Sequence, residues 1–196
     1  MEESPAVSDG APRTPRRGLA LLLALVAVVV IGLDQLTKYL VVRNLTPYVP
    51  VPVVDGILRL NLIRNPGAAF SLATGTTWIF TVIATVVSVV IVRVSRRLGS
   101  VWWAVCLGLL LGGALGNLTD RLFRAPGFGR GHVVDFIEYT KFPFMDFPVF
   151  NVADCSVVVA AATIGLLGLR GIGVDGRRLV DPRPTDQRPA DAGQDR

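Results

Sequence analysis

Residues 19–33 read LALLLALVAVVVIGL, an unbroken apolar run, and after Asp34 the apolar pattern resumes as far as Val42. A helix over 19–42 is long enough to cross the ~30 Å hydrocarbon core of a bilayer. Arg16 and Arg17 precede the run, as they would in a cleaved signal peptide. No Ala occurs between Asp34 and Pro50, however, so an A-x-A cleavage site is missing and the span is read as retained. The same reading then finds three more spans. One falls within 72–92, in a stretch uncharged from Asn65 to Val92. Another lies within 100–119, uncharged from Leu98 to Thr119. The fourth covers 150–169 and is interrupted only by Asp154.

Composition agrees. Of the 196 residues, 51% are hydrophobic, and the mean hydropathy of +0.52 is unusual for a soluble domain. The net charge of +5 does not signal nucleic acid, because most Arg sits in tails and short links beside the apolar runs. Cys106 and Cys155 lack CxxC spacing, so no disulfide framework or thiolate metal site is indicated, and His132 is the single histidine.

Four spans put both termini on one side. Arg13, Arg16 and Arg17 precede the first span, Arg93, Arg96 and Arg97 crowd the link between the second and third, and Arg170, Arg177 and Arg178 follow the fourth. These mark the cytoplasmic side. The polar segments 1–17 and 173–196 are expected to be disordered tails around a membrane domain at 18–172. Outside, 48–64 holds two extended runs around Asp55-Gly56, a hairpin signal, with Leu58, Leu60 and Leu62 alternating with polar residues. The fold expected is therefore a mainly α integral membrane protein of four transmembrane helices with a small extracytoplasmic β-sheet. Segment 122–149, rich in Gly, Pro and aromatics, reads as irregular. Gly108, Gly112 and Gly116 form a doubled GxxxG, best explained as close helix packing.

Ionisable side chains in a span cost about 2.5–3.5 kcal/mol on insertion scales and need a reason. They gather here at the outer ends of the helices: Asp34 and Lys38 in the first span, Asn117, Asp120 and Arg121 ending the third, Asn151 and Asp154 opening the fourth. Asp34 and Lys38 have i,i+4 spacing. They either neutralise each other, with Lys38 snorkelling to the interface, or support a site. Asn117, Asp120 and Arg121 share a helical face, and Asp120 reads first as a clasp kept charged by adjacent Arg121. Asn151 and Asp154 have capping-box spacing, so a plain helix start competes with a functional role. Asp135 alone reads as a turn former. His132, Asp135 and Glu138 could be drawn as metal ligands, but one His among three makes a poor open metal site, and none is expected. Two carboxylates in a dry site share a proton and titrate as a coupled pair, one serving as base and the other as acid. That chemistry hydrolyses peptide bonds without metal, cofactor or Ser/Cys nucleophile, and no G-x-S-x-G, H-E-x-x-H or P-loop is present. Spacing alone says only that several outer carboxylates could converge. An ion- or proton-coupled transporter is the main alternative, although its acids would sit nearer the midplane. A scaffold with purely structural clasps is the second.

Five motifs, in order, resemble those of the signal peptidase II (lipoprotein signal peptidase) family. They are DQLTK at 34–38, NPGAAFS at 65–71, GGALGNLTDR at 112–121, GHVVDF at 131–136 and FNVAD at 150–154. Cys155 stands where that family often has Ser or Thr. The resemblance covers residues 19–170 and implies an outer β-cradle and a catalytic pair, Asp135 and Asp154. Asp34, Lys38, Asn65, Gly67, Asn117, Asp120, Arg121 and Asn151 become supporting or substrate-binding residues. Without the resemblance, Asp120 ranks above Asp135. It further implies a bacterial inner-membrane enzyme, probing diacylglyceryl-modified prolipoproteins at the outer face and cutting before the lipidated Cys. Inhibition by globomycin-type peptides and a monomeric state are also expected.

Overall fold

The computed structural model describes residues 17–67, 77–141 and 147–178. Four helices dominate: α1 (Arg17–Asn44), α2 (Thr77–Val94), α3 (Val101–Phe123) and α4 (Val152–Leu169). Each is long and apolar enough to cross a membrane, α2 together with the 3-10 turn Ser95–Arg97 that ends it. The expected start of the second span, 72–76, lies outside the described residues, as do 1–16 and 179–196.

The centre of the bundle is α3, which packs on each of the other three helices. Its glycines explain why it can. A Cβ on Gly108 would stand 2.8 Å from Leu23 O, and one on Gly112 would stand 2.6 Å from Val30 Cβ, so this stripe seats α1. On the neighbouring face a Cβ at Gly113 would meet Ser156 Oγ at 2.5 Å and Ala153 O at 2.6 Å, which seats α4. Backbones approach this closely only where side chains are missing. Large apolar side chains such as Leu21, Leu25, Val86, Val89, Val158 and Val159 face outward. In a bilayer these are lipid-facing positions.

At the other end of the chain's path from the arginine-rich links lies an antiparallel sheet in the order β1 (Val51–Val54), β2 (Leu58–Asn65), β3 (Val133–Tyr139). The expected hairpin at Asp55-Gly56 is present, with Gly56 at φ +64° as a tight turn requires. The third strand differs from the irregular segment expected at 122–149. Residues 133–136 are all buried. Val134 and Phe136 join Leu62 and Val41 in an apolar cluster that fixes the sheet on the end of α1.

A second difference concerns the C-terminal side. Ile172–Arg178 folds into a turn against the α2–α3 link, where Gly99 N donates to Val174 O (3.0 Å) and Trp103 Nε1 donates to Ile172 O (3.0 Å). The described chain is therefore held past residue 173 by the Gly99 backbone N–H and the Trp103 indole, with Val174 packed against the apolar core.

Candidate active site

The sheet and the bundle meet at two buried polar clusters. In the first, the Lys38 ammonium lies between Asp34 Oδ2 (2.8 Å) and Asp120 Oδ2 (2.9 Å), with all three side chains fully buried. Asp120 Oδ1 also pairs with Arg124 Nε at 2.5 Å. Backbone donors complete the set: Ala153 N donates to Asp34 Oδ1 (3.0 Å) and Val134 N donates to Asp120 Oδ2 (3.1 Å). Gln35 Nε2 donates to Asp34, to Asp120 and to Gly116 O. Two acids face two bases, so the cluster is neutral while it ties α1, α3, α4 and β3 together. Lys38 does not snorkel, because its neutralising partners come from two helices and lie inside.

Asp120 was expected to pair with Arg121, its neighbour in sequence. It pairs instead with Arg124, one helical turn on, and with Lys38. Adjacent residues on a helix point about 100° apart, whereas i,i+4 residues stack. Arg121 turns the other way. Its guanidinium lies over the Phe80 ring, 5.1 Å from the centroid. Its Nη1 is buried with no hydrogen-bond partner among the described residues.

The second cluster holds Asp135 and Asp154. Three backbone hydrogen bonds join β3 to the segment entering α4. Phe136 N (3.0 Å) and Ile137 N (2.8 Å) donate to Phe150 O, and Phe150 N donates to Ile137 O (3.0 Å). This stitching brings Asp135 against the next residue, Asn151. The Asn151 Nδ2 donates to Asp135 Oδ1 at 2.6 Å. Asn151 also forms the expected capping box. Its Oδ1 accepts from Asp154 N (3.0 Å), and its backbone N–H donates to Asp154 Oδ2 (3.1 Å). The helix-start reading therefore holds, and the same cap sets the Asp154 carboxylate beside the amide that holds Asp135. Asp154 Oδ1 accepts from Asn117 Nδ2 on α3 (2.8 Å).

The other Asp135 oxygen accepts from Asn65 Nδ2 at 2.8 Å. Asn65 pairs in register with Val133, which places it diagonally across the same face from Asp135. The Asn65-Pro66-Gly67 turn then fixes the amide, because Gly67 N donates to Asn65 Oδ1 (2.8 Å). Gly67 has φ +126°, and a Cβ there would lie 2.6 Å from the Phe80 ring, so only glycine fits. Residues 68–71 of this motif lie outside the described residues.

Burial pushes the Asp135 carboxyl up to about 7. The Asn65 bond works against that rise, the Asp154 charge adds to it, and the Asn151 bond and Lys38 charge oppose it. Asp135 and Asp154 line one cavity of about 550 Å³, whose remaining wall includes Phe147, Phe150, Cys155, Val158 and Val159. Val158 and Val159 are 67% and 53% exposed, so the cavity borders the lipid-facing side of α4. Asp135 and Glu138 do not converge. Three residues apart on a strand they point to opposite faces, and Glu138 binds Arg59 (2.5 Å) and Asn61 (3.1 Å) instead. Among the described residues no three His, Cys, Asp or Glu side chains group as metal ligands.

Four membrane-length helices, a sheet over one end and two adjoining carboxylates beneath it define a polytopic membrane protein with an acidic site. Residues 26–170 match the family model described as signal peptidase (SPase) II. The chain is 51% identical to a lipoprotein signal peptidase of Mycobacterium avium, over 91% of this chain and 96% of that one. It is 46% identical to a lipoprotein signal peptidase of Leifsonia xyli, over 92% and 82%. A solved bacterial membrane enzyme, 29% identical, superposes with a TM-score of 0.68 over 82% of this chain and 99% of that one. The chain belongs to the signal peptidase II family and is an aspartic endopeptidase of that type. The transporter and scaffold alternatives are thereby set aside.

Proposed function

We propose that this enzyme removes the signal peptide from diacylglyceryl-modified prolipoproteins, cutting just before the lipidated Cys, with water activated between Asp135 and Asp154. The observation that carries the proposal is Asn151, whose side-chain amide donates to the Asp135 carboxylate and whose backbone N–H donates to the Asp154 carboxylate, while both aspartates line one cavity beside the lipid-facing α4. Asp154, the less buried of the two, serves as the base, its two oxygens accepting N–H bonds from Asn117 and Asn151. Asp135, titrating near 7, carries the shared proton. Water attacks the scissile carbonyl carbon and gives a proton to Asp154, while Asp135 protonates the carbonyl oxygen. On collapse of the tetrahedral intermediate the C–N bond breaks, the amine takes the proton from Asp154, and a hydroxyl of the intermediate returns one to Asp135, which restores the pair. An apolar cavity wall suits a substrate that arrives within the membrane carrying acyl chains.

The site faces outward and both termini are cytoplasmic. In support, Arg17, Arg93, Arg96, Arg97, Arg170, Arg177 and Arg178 are all exposed at the end away from the sheet. Among the described residues, only Asp175 opposes them there. The enzyme works as a monomer in the bacterial inner membrane and is blocked by globomycin-type cyclic peptides. Cleavage of a lipidated precursor by the purified protein tests the activity. Turnover that disappears in Asp135→Asn and in Asp154→Asn, with each variant folded, supports it. Substantial turnover in either variant overturns the assignment of the pair.

A further inference from the structure

One side chain connects the neutral cluster to the reactive one. The Lys38 ammonium has three N–H donors and three acceptors at 2.8–2.9 Å: Asp34 Oδ2, Asp120 Oδ2 and Asn117 Oδ1. The third bond leaves the clasp and touches the amide that serves Asp154. Asn117 Oδ1 also accepts from Asn151 Nδ2, at 3.1 Å. With its oxygen held by two donors, the amide must present Nδ2 to Asp154, which it does at 2.8 Å.

A flipped Asn117 would set its NH2 against the Lys38 and Asn151 donors and its oxygen against the Asp154 carboxylate. That arrangement is repulsive at both ends unless Asp154 carries a proton. Asn151 alone holds the orientation weakly. Its Nδ2 already has Asp135 Oδ1 at 2.6 Å and a longer contact to Val134 O at 3.4 Å. A bond from a fully buried ammonium is the stronger anchor.

We propose that Lys38 is a positioning residue for hydrolysis: through Asn117 it fixes which aspartate of the pair is ionised, Asp154, and leaves the proton to Asp135. The inference rests on the Asp135/Asp154 reading and assigns a chemical role to a lysine that otherwise belongs to the structural clasp. No other cation among the described residues bonds to an amide that serves the pair.

Lys38→Met would leave Asp34 and Asp120 against Arg124 alone, so the variant is also made as Asp34→Asn/Lys38→Met, which restores the charge balance. The experiment is a double-mutant cycle with Asn117→Ala in the Asp34→Asn background, on cleavage of a lipidated precursor peptide, with folding checked by thermal unfolding. Adding Lys38→Met to Asp34→Asn should lower kcat by about 10–100-fold with KM changed by less than about threefold, as a misplaced catalytic group does. Both limbs of the pH profile should move to higher pH, since a cation and an N–H donor are lost together. Adding Lys38→Met to Asp34→Asn/Asn117→Ala should cost no more than about a further twofold, because one residue acts through the other. Independent losses that multiply, or a pH profile that stays in place, overturn the positioning role. Failure of this cycle while Asp135→Asn and Asp154→Asn remain inactive leaves the aspartate pair standing and removes only Lys38 from its control.

Discussion

The two carboxylate pairs at the sheet end of the bundle are built from the same residue type, with Asp154 half-buried and the other three buried, yet they differ in what surrounds them. Asp34 and Asp120 face two cations, Lys38 and Arg124, and backbone N–H groups. Asp135 and Asp154 are served by neutral amides from Asn65, Asn117 and Asn151. A matched set of charges fixes geometry. In the second pair no cation bonds the carboxylates directly, and burial, opposed by the Asn65 and Asn151 bonds, raises Asp135 to about 7. Burial alone does not separate the two pairs; direct ion pairing does, since cations bond Asp34 and Asp120 but none bonds Asp135 or Asp154 among the described residues.

Substitutions should therefore sort into two kinds. Asp135→Asn is expected to lower kcat by about 10⁴-fold or more, the scale on which loss of one member of a concerted set acts. It should leave thermal unfolding at pH 5 close to that of the parent. Lys38→Met should cost stability as well as turnover, about 3–5 kcal/mol, by stranding a buried carboxylate. The compensated Asp34→Asn/Lys38→Met should recover part of that loss, measured by thermal unfolding in detergent. A clasp variant as stable as the parent would erase the distinction between the clusters.

Smaller effects sharpen it. Gly112→Ala places a Cβ 2.6 Å from Val30 Cβ and should cost about 1–3 kcal/mol through overpacking between α3 and α1. A Cβ at Gly165 meets nothing within 4 Å, so Gly165→Ala should be neutral or stabilising by up to about 1 kcal/mol. The pH dependence of stability also separates the clusters. A carboxyl raised in the folded state binds a proton that the unfolded chain has released, so its stabilising contribution is present below about 3.8 and is lost as pH rises through about 7. Asp135→Asn should thus gain stability relative to the parent between pH 5 and 8, by about 1–3 kcal/mol. A difference that stays flat across that window would show that Asp135 does not titrate there.

Much of this was legible in the chain itself, for reasons that differ by element. The four spans are readable because lipid requires long uncharged runs; α1, α3, α4 and the C-terminal end of α2 fall within a few residues of the expected limits. Strand β3 was not, although VVDFIEY is rich in β-branched and aromatic residues. Its first four residues are all buried, so the polar/apolar alternation that betrays a half-exposed strand is missing. The Lys38 environment was half legible: Asp34 lies one turn away in the sequence, while Asp120 and Asn117 come from another helix. Arg124 could have been assigned to Asp120 from i,i+4 spacing, had α3 been read past residue 119 to Phe123. Spacing offered nothing to raise Asp135 above Asp120. What distinguishes them is the strand pairing with Asn65 and the stitching to Phe150, both long-range.

The central claim is that one proton is shared by Asp135 and Asp154 in the active enzyme. It is tested most directly by kcat/KM for a lipidated peptide across pH in detergent, with folding followed at every point. The singly protonated pair predicts a bell, its acid limb set by protonation of the ionised member and its alkaline limb by loss of the Asp135 proton near pH 7. A rate that climbs steadily through pH 9 while the enzyme remains folded would contradict the shared proton and leave a single general base.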